Sequence, residues 1–461
     1  MKKHQITTLL CDDAQHLKGN DMSKVTTRHL MPGKMTTPGQ ESRAKAWGLT
    51  SVLVFLYMIN YSDKILLGLV AQPLKEEFGL TSAQIGLTAS VFFFAFTAGG
   101  FFAGLINKWA TLKWSLMALA VIWAVCMVPM IVAGSFVVLL VSRFLLGLTE
   151  GPSGALIHTA VYSWHPMEKR SLPGAFIASS SSLAKIAAAP ALAFLIVQFG
   201  WHSAFVAMVV VGLAWCVLWY FTWRPGPYGE VRIPGVKGSA ATPPPAVPWM
   251  SIFRTGTFVG ALAAVIPMYA LLTVVLTWLP SYFEVGLGFT RLQAGAMFGF
   301  PSIAAMLAMF TSTYFSDKFM SRGVSARIMR GIVPAAGLLI CGIFMAVLPY
   351  IDTPMVVVAV VSIGYGIGCI LAPIMNAAIS QICPNNQVAG SLGMFLALMA
   401  LGGIVAPPLT GMIVDQAVSP AVGYAQSFQI FGIVAIVGAV LAMILVNPDR
   451  DAARVMAQLK P

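Results

Sequence analysis

The stretch from Arg143 to Pro166 reads RFLLGLTEGPSGALIHTAVYSWHP, and it places an arginine, a glutamate and a histidine in an otherwise apolar segment. An ionised side chain near the centre of a membrane-spanning helix costs roughly 2.5 to 3.5 kcal/mol, so such residues usually face a protein interior or a wet cavity. Arg143 and Glu150 are seven residues apart, which is about two helical turns and about 10 Å along one face. The stretch therefore predicts a membrane helix that carries charge into a buried site. The simpler alternative is an ion pair between these two residues that only orients the helix.

The composition around this stretch is typical of a membrane protein. The chain has 461 residues, of which 58% are hydrophobic and 10% are charged, and its mean hydropathy is +0.82. A soluble globular protein carries about 25% charged residues. Apolar runs long enough to span a bilayer, about 20 residues each, recur along the chain. We count twelve, at 46–70, 82–106, 114–133, 136–163, 171–199, 202–223, 254–283, 291–315, 328–349, 354–381, 388–413 and 424–446.

The spans fall into two groups of six, separated by a stretch rich in proline and glycine that cannot form a regular helix. We therefore predict an all-α membrane protein with twelve transmembrane helices in two pseudo-symmetric six-helix bundles. The predicted segments are a disordered cytoplasmic N-terminal tail, the first bundle, a cytoplasmic linker, the second bundle and a cytoplasmic C-terminal tail, at 1–45, 46–223, 224–250, 251–447 and 448–461.

The formal net charge of +12 could suggest a nucleic-acid partner, but the basic residues follow the positive-inside rule instead. If the first helix starts inside, the outer loops hold only Lys75 and Arg291. We expect both termini to be cytoplasmic, in a multi-pass protein of the cell (inner) membrane. The inner loops then carry Lys108, Lys113, Lys169, Arg170, Arg224, Arg232, Lys237, Arg254, Lys318, Arg322, Arg327 and Arg330.

The two halves also share a weak internal repeat, as in transporters built from repeated units. The fourth span ends at Pro166 and the tenth at Pro384. If these prolines are superposed, His158 and Asn376 occupy equivalent positions, each eight residues earlier. We expect the two side chains to face each other across a pseudo-twofold axis and to line a substrate site. For His158, a core histidine bonded within its own surroundings is the open alternative.

Five charged residues lie clearly at membrane depth, all in the first half: Asp63, Lys64, Arg143, Glu150 and Lys185. Three cations against two carboxylates leave a net positive charge, and protonating a carboxylate frees a further cation. This balance favours an anion site in which proton uptake and anion binding are coupled. Arg143 offers paired donors to a carboxylate, and the lysines act as point charges. For Lys185 the alternative is snorkelling toward water, although it lies in mid-span.

Three sequence elements carry a family resemblance: NYSDK at 60–64, RFLLGLTEGP at 143–152 and GWHSAF at 200–205. Together they make the chain resemble the major facilitator superfamily, and within it the anion:cation symporter branch that includes bacterial galactonate and related organic-acid transporters. The resemblance implies alternating access, with two bundles rocking about a midplane site. It also implies that Asp63 and Glu150 carry protons, that Lys64 and Arg143 meet the substrate's carboxylate, and that Tyr61 lines the site.

Some positions depart from that branch. Lys64 stands where the branch usually has arginine, so bidentate binding is lost there. Leu396 and Ala400 stand where similar sugar-acid carriers tend to have asparagines. Fewer groups that match hydroxyls favour an apolar or aromatic carboxylate over a heavily hydroxylated sugar acid.

The sequence thus predicts a secondary active transporter for proton-coupled uptake of a small organic anion, in particular a carboxylate. We expect the protein to be a monomer. We also expect no cofactor, no metal and no enzymatic activity, because no CxxC, GxxxxGK[ST], HExxH or Rossmann glycine pattern occurs. The alternative is a proton-coupled antiporter that exports a drug or metabolite, although a cation exporter should carry surplus buried carboxylates. We also expect the five intramembrane charges to share one water-accessible chamber.

Overall fold

The computed structural model describes residues 43–103, 106, 110–165, 171–228, 247–384 and 387–458. The predicted N-terminal tail lies outside these residues except for 43–45, which already belong to the first helix. Most of the predicted linker, 229–246, also lies outside them.

The fold is all-helical in the described part of the chain, and twelve helices there are long and apolar enough to cross a membrane, which confirms the predicted fold class. A short helix, Trp249–Phe253, precedes the second half, and a helix labelled α13, Pro448–Ala457, follows the spans. The spans are α1 Arg43–Phe78, α2 Ser82–Gly100, α3 Leu112–Val132, α4 Phe136–Tyr162, α5 Pro173–Phe199, α6 Trp201–Thr222, α7 Gly256–Gly286, α8 Arg291–Met320, α9 Arg327–Tyr350, α10 Pro354–Gln381, α11 Gly390–Gln416 and α12 Pro420–Leu445.

Helices α1 and α7 form the centre of the molecule. They pack against each other and are the most buried of the spans. Helix α2 packs on α4 in its own half and on α11 in the other half, while α5 meets α8. The core therefore runs through the contact between the first half, α1–α6, and the second half, α7–α12.

Matching interruptions occur in the two halves. Helix α4 is broken by a turn at Gly151 and Pro152, and α10 by a turn at Cys369 and Ile370. A proline lacks the N–H that would continue the helical hydrogen bonds, which explains the break in α4. His158 lies seven residues after the first turn and Asn376 seven residues after the second, so the two occupy equivalent places in the repeat.

Helices α5 and α11 are also irregular. Helix α5 contains a π-helical segment, Ala184–Ala188, and α11 is interrupted at Ala400. Single π-helical turns are often found at functional sites because they redirect side chains without ending the helix. The π-helical segment includes Lys185, the mid-span lysine singled out by the sequence.

Contacts between the halves are concentrated on one side of the bundle. We call the side where α1 begins the N-terminal face and the other side the opposite face. On the opposite face Asp415, at the end of α11, accepts hydrogen bonds from the backbone N–H groups of Ser82 (2.9 Å) and Ala83 (2.8 Å) at the start of α2. Arg291 Nη2 of α8 also lies 3.9 Å from Glu76 Oε1 of α1. These contacts close the opposite face.

The segment after the last span is a docked helix on the N-terminal face. The buried carboxylate of Asp451 in α13 accepts hydrogen bonds of 2.8 Å from both the backbone N–H and the hydroxyl of Thr257, at the start of α7. Asp449 accepts a further bond of 3.1 Å from Gln381 at the end of α10. The C-terminal segment thus joins the ends of α7 and α10.

Candidate functional site

A buried ion pair between Lys64 of α1 and Glu150 of α4 forms the centre of the site. The ammonium donates to Glu150 Oε2 and also to Asn60, at 2.6 Å to Oδ1 and 3.2 Å to the backbone oxygen. Asn60 and Lys64 are one helical turn apart, so α1 presents both on one face. The side chain of Glu150 is fully buried and that of Lys64 is 6% exposed.

Aromatic rings surround the same ammonium. Lys64 Nζ lies 5.0 Å from the ring centre of Tyr61, 5.4 Å from that of Phe92 and 5.0 Å from that of Phe96. Ring faces attract a cation without forming directional hydrogen bonds to it. The rings therefore hold the charge in place while leaving its hydrogen-bonding capacity to Asn60, Glu150 or an entering anion.

The break in α4 falls directly after Glu150 and shapes its surroundings. Ser153 Oγ donates to the backbone oxygen of Glu150 at 2.5 Å, and Asn60 Nδ2 donates to the same hydroxyl at 3.4 Å. The carboxylate itself is only half satisfied, because Glu150 Oε1 is buried without a hydrogen-bond partner among the described residues. A carboxylate in this setting has an oxygen free to hold a proton.

Arg143 lies two turns before Glu150 on α4, and its guanidinium contacts α1. Its Nη1 donates to the backbone oxygen of Asp63 at 2.9 Å, whereas Nη2 is buried without a partner in the described part of the chain. Arg143 and Lys64 line one cavity, which is bounded on the second half by Leu276 and Thr277 of α7. Two cationic groups from the first half thus face a space that reaches the second half.

Asp63 does not share that cavity. Its side chain instead lines a cavity with Trp123 and Met127 of α3 and Met208 of α6. Successive residues of a helix point about 100° apart, so Asp63 and Lys64 project toward different neighbours. Asp63 Oδ2 and Trp123 Nε1 are both buried without partners there among the described residues. Asp63 nevertheless interacts with Glu150, Lys64 and Arg143, so these four charges form one cluster. The expectation that all five charges share one water-accessible chamber stays a prediction.

Lys185 lies in a third setting, against the second half. Its side chain is 95% buried in the π-helical segment of α5, and its ammonium lies 5.6 Å from the ring centre of Tyr365 on α10. Tyr365 in turn lies near Tyr61, the ring beside Lys64. The burial agrees with the prediction that Lys185 does not snorkel to water.

The remaining predicted residues lie closer to the N-terminal face. His158 and Asn376 are both partly exposed, and His158 Nδ1 lies 2.8 Å from the backbone oxygen of Gly154 in its own helix. The histidine ring also packs edge-on against Tyr162, at 5.8 Å between centres. These local contacts fit the open alternative of a core histidine. The observed contacts of His158 do not join it to the Lys64–Glu150 pair.

Further tyrosines lie near these residues. Tyr57 packs edge-on against Tyr61 at 5.1 Å between ring centres, one turn below it on α1. Tyr269 of α7 lies near both rings. The spacing of Tyr57 and Tyr61 by four residues could have revealed the first, since both lie on one helical face. Nothing local in the sequence singles out Tyr269 or Tyr365 for their contacts across the halves.

Comparison with known proteins shows which family of proteins this chain is similar to. The sequence matches the model of the Major Facilitator Superfamily over residues 53–376 and 332–458. A probable sulfoacetate transporter of Cupriavidus necator is 27% identical over 412 residues, covering 87% of this chain and 93% of that protein. A D-galactonate transporter of Escherichia coli O6:H1 is 25% identical over 424 residues, covering 87% and 95%.

Among solved structures, a bacterial homologue of the human lysosomal transporter Spinster, in an inward-facing and occupied conformation, has the same fold. Its TM-score is 0.72 at 16% sequence identity, and the match covers 91% of this chain and 99% of that one. These proteins are membrane transporters and not enzymes.

Proposed function

Because the chain belongs to the Major Facilitator Superfamily of membrane transporters, we propose that it is a proton-coupled symporter that takes up a small organic anion by alternating access. The observation that carries the proposal is the Lys64–Glu150 pair. It places a carboxylate with a free oxygen on a lysine that lines a cavity between the halves. One side chain can thus accept a proton while the other receives an anion.

Charge competition couples the two events. With Glu150 ionised, its carboxylate occupies Lys64 and opposes the entry of another anion. Two unit charges 4 Å apart interact by about 4 kcal/mol at an effective dielectric constant of 20, so neutralising Glu150 changes the affinity of the cavity for an anion substantially. The coupling is reciprocal, because an anion that binds Lys64 favours protonation of Glu150 by the same free energy.

Arg143 and Asp63 form the second part of the mechanism. The unpartnered Nη2 of Arg143 supplies a further donor in the cavity of Lys64. Its Nη1 bonds to the backbone of Asp63, whose own carboxylate has a free oxygen in the neighbouring cavity. We assign Asp63 as a second proton carrier that acts on the anion through Arg143.

The substrate is an organic acid in this proposal, in line with the substrates named for the two relatives, sulfoacetate and galactonate. We place Tyr61, Lys64, Arg143 and Lys185 at the anion, with His158 and Asn376 lining its path toward the N-terminal face. That face is the cytoplasmic one, both termini lie on it, and a monomer in the inner membrane is the working unit. In this proposal the closed opposite face is the outer one.

Proton movement on adding substrate tests both the coupling and the direction. Purified protein is reconstituted into vesicles that hold a pH-sensitive dye, and sulfoacetate or galactonate is added outside. A symporter acidifies the vesicle interior as the anion enters, because each transport event carries a proton. A proton antiporter, the alternative from the sequence, would make the interior more alkaline. Saturable uptake without any pH change would contradict proton coupling.

A further inference from the structure

The buried charges of the site do not balance in pairs. Lys64 is neutralised by Glu150, and Arg143 is held against α1 at Asp63. Within the described residues, Lys185 has neither an ion-pair partner nor a hydrogen-bond partner, and its recorded contacts are with uncharged groups of α10. An isolated buried ammonium is costly, because water solvates it far better than an apolar interior does. A bound anionic group would remove that cost.

The local backbone presents this lysine to the second half. Lys185 lies in the π-helical segment of α5, where the helix widens and side chains are redirected. Its ammonium lies 5.6 Å from the ring centre of Tyr365, and Cys369 is nearby. Cys369 lies at the break of α10, where the helix turns aside. Lys185 is therefore positioned beside an interruption in the facing helix, where space for a ligand group can form.

Tyr61 and Tyr365 lie between the two lysines, Lys64 and Lys185, and we call these two rings the tyrosine wall. Lys64 lies 5.0 Å from the ring centre of Tyr61, Lys185 lies 5.6 Å from that of Tyr365, and the two tyrosines lie near each other. A small molecule that lies along these rings meets an ammonium at each end. Phenol hydroxyls along the wall can donate to oxygen atoms of such a ligand.

From this arrangement we propose that the substrate is a small dianion with an acidic group at each end, such as a dicarboxylate or a sulfocarboxylate. One group binds Lys64 and Arg143, and the other binds Lys185. The inference rests on the proposed function for the first group and adds the second. It also fits the number of proton carriers, since protons on Asp63 and Glu150 would let a dianion cross without net charge.

The test compares dianions with their own monoamides, which have nearly the same size but one charge fewer. Succinate, glutarate and sulfoacetate, each with its monoamide, are titrated against the purified protein at pH 7, and binding is followed by thermal shift. We expect a dianion of the matching length to bind at least tenfold more tightly than its monoamide. Equal affinities within every pair, or no dianion binding across the panel, would overturn the proposal.

Variants of the two lysines separate this inference from the proposed function. Lys185→Gln should reduce the dianion-to-monoamide ratio to about one, and Lys185→Arg should keep the preference. A preference that persists in Lys185→Gln would overturn the second subsite only. Lys64→Gln should weaken dianion and monoamide alike, and if it leaves both unchanged, the proposed site itself fails. The ratio of dianion to monoamide affinity in the wild-type protein is measured without any variant, so it still decides the question if a variant misfolds.

Discussion

Lys64 of α1 and Glu150 of α4 form an ion pair in the interior of the protein, although 86 residues separate them in the sequence. Removing one partner of a buried pair leaves the other charge uncompensated, which costs about 3 to 5 kcal/mol, whereas replacing both is often nearly neutral. The pair therefore makes separate and measurable contributions to stability and to transport.

For stability, we expect Lys64→Met alone to lower the unfolding temperature clearly, because Glu150 is left without its cation. The double variant Lys64→Met/Glu150→Gln should recover more than half of that loss. Thermal unfolding in detergent measures both. Arg291→Gln is the control, since it breaks an ion pair with Glu284 whose side chains are 28% and 17% exposed and whose loss should therefore cost less than that of a fully buried pair. A Lys64→Met effect no larger than the control would contradict a buried pair.

Close packing between α2 and α11 predicts a second effect. A methyl group on Gly411 would lie 2.5 Å from the backbone carbon of Ser82, whereas one on Gly393 of the same helix meets nothing within 4 Å. Gly411→Ala should therefore force the opposite face apart. Spin labels at the exposed residues Val132 and Val418 report the separation of the halves there. We expect a longer distance population in Gly411→Ala, and an unchanged distribution in Gly393→Ala.

The carboxylate of Asp415 stabilises the same closed face, because it caps the first backbone N–H groups of α2. Loss of a cap costs about 0.5 to 2 kcal/mol. Asp415→Ala should thus enlarge the population with an open face by about two- to thirtyfold in the same distance measurement. Asp352→Ala, which removes an exposed carboxylate between α9 and α10, is the matched control. Identical distributions in the two variants would show that Asp415 does not hold the face closed.

The docked C-terminal helix predicts a pH dependence of stability. Burial alone would raise the pKa of Asp451, but hydrogen bonds from Arg450 and Thr257 outweigh it and lower the pKa below its usual value. The stabilisation by the ionised form is therefore complete above the usual pKa of about 3.9 and is lost as the pH falls through the lowered value. Asp451→Asn should unfold earlier than wild type at pH 6, and the difference should shrink toward pH 3. A constant difference across this range would contradict the assignment.

The sequence was sufficient to predict the twelve spans, because each is a run of apolar residues of membrane-spanning length. It was also sufficient to identify the five intramembrane charges, whose cost in lipid makes them conspicuous. The equivalence of His158 and Asn376 followed from counting back from two prolines, and the breaks of α4 and α10 keep the same spacing.

The pairing of the charges could not be predicted in the same way. Glu150 binds Lys64, while Arg143 on its own helix turns to the backbone of Asp63. Which partner a side chain reaches depends on the rotation of each helix about its axis, and packing between helices sets that rotation. For the same reason Asp63 lines a cavity with α3 and α6, whereas its neighbour Lys64 faces α7.

The irregular backbone geometry could not be predicted from the sequence either. Pro190, which cannot donate a backbone hydrogen bond, follows the π-helical segment closely. The sequence does not show, however, that this segment places Lys185 beside Tyr365 on another helix. The tyrosine wall likewise depends on contacts between the halves, which periodicity within one helix does not reveal.

Glu150→Gln provides the most direct test of proton coupling. Vesicles containing wild type or the variant are given an inward proton gradient, and accumulation of the tightest-binding acid of the panel is followed. Counterflow without a gradient is measured in parallel, with Glu284→Gln as a control glutamate on the opposite face. We predict that wild type and Glu284→Gln accumulate the anion, while Glu150→Gln exchanges it by counterflow but accumulates none. Gradient-driven accumulation by Glu150→Gln at the wild-type level would contradict the account.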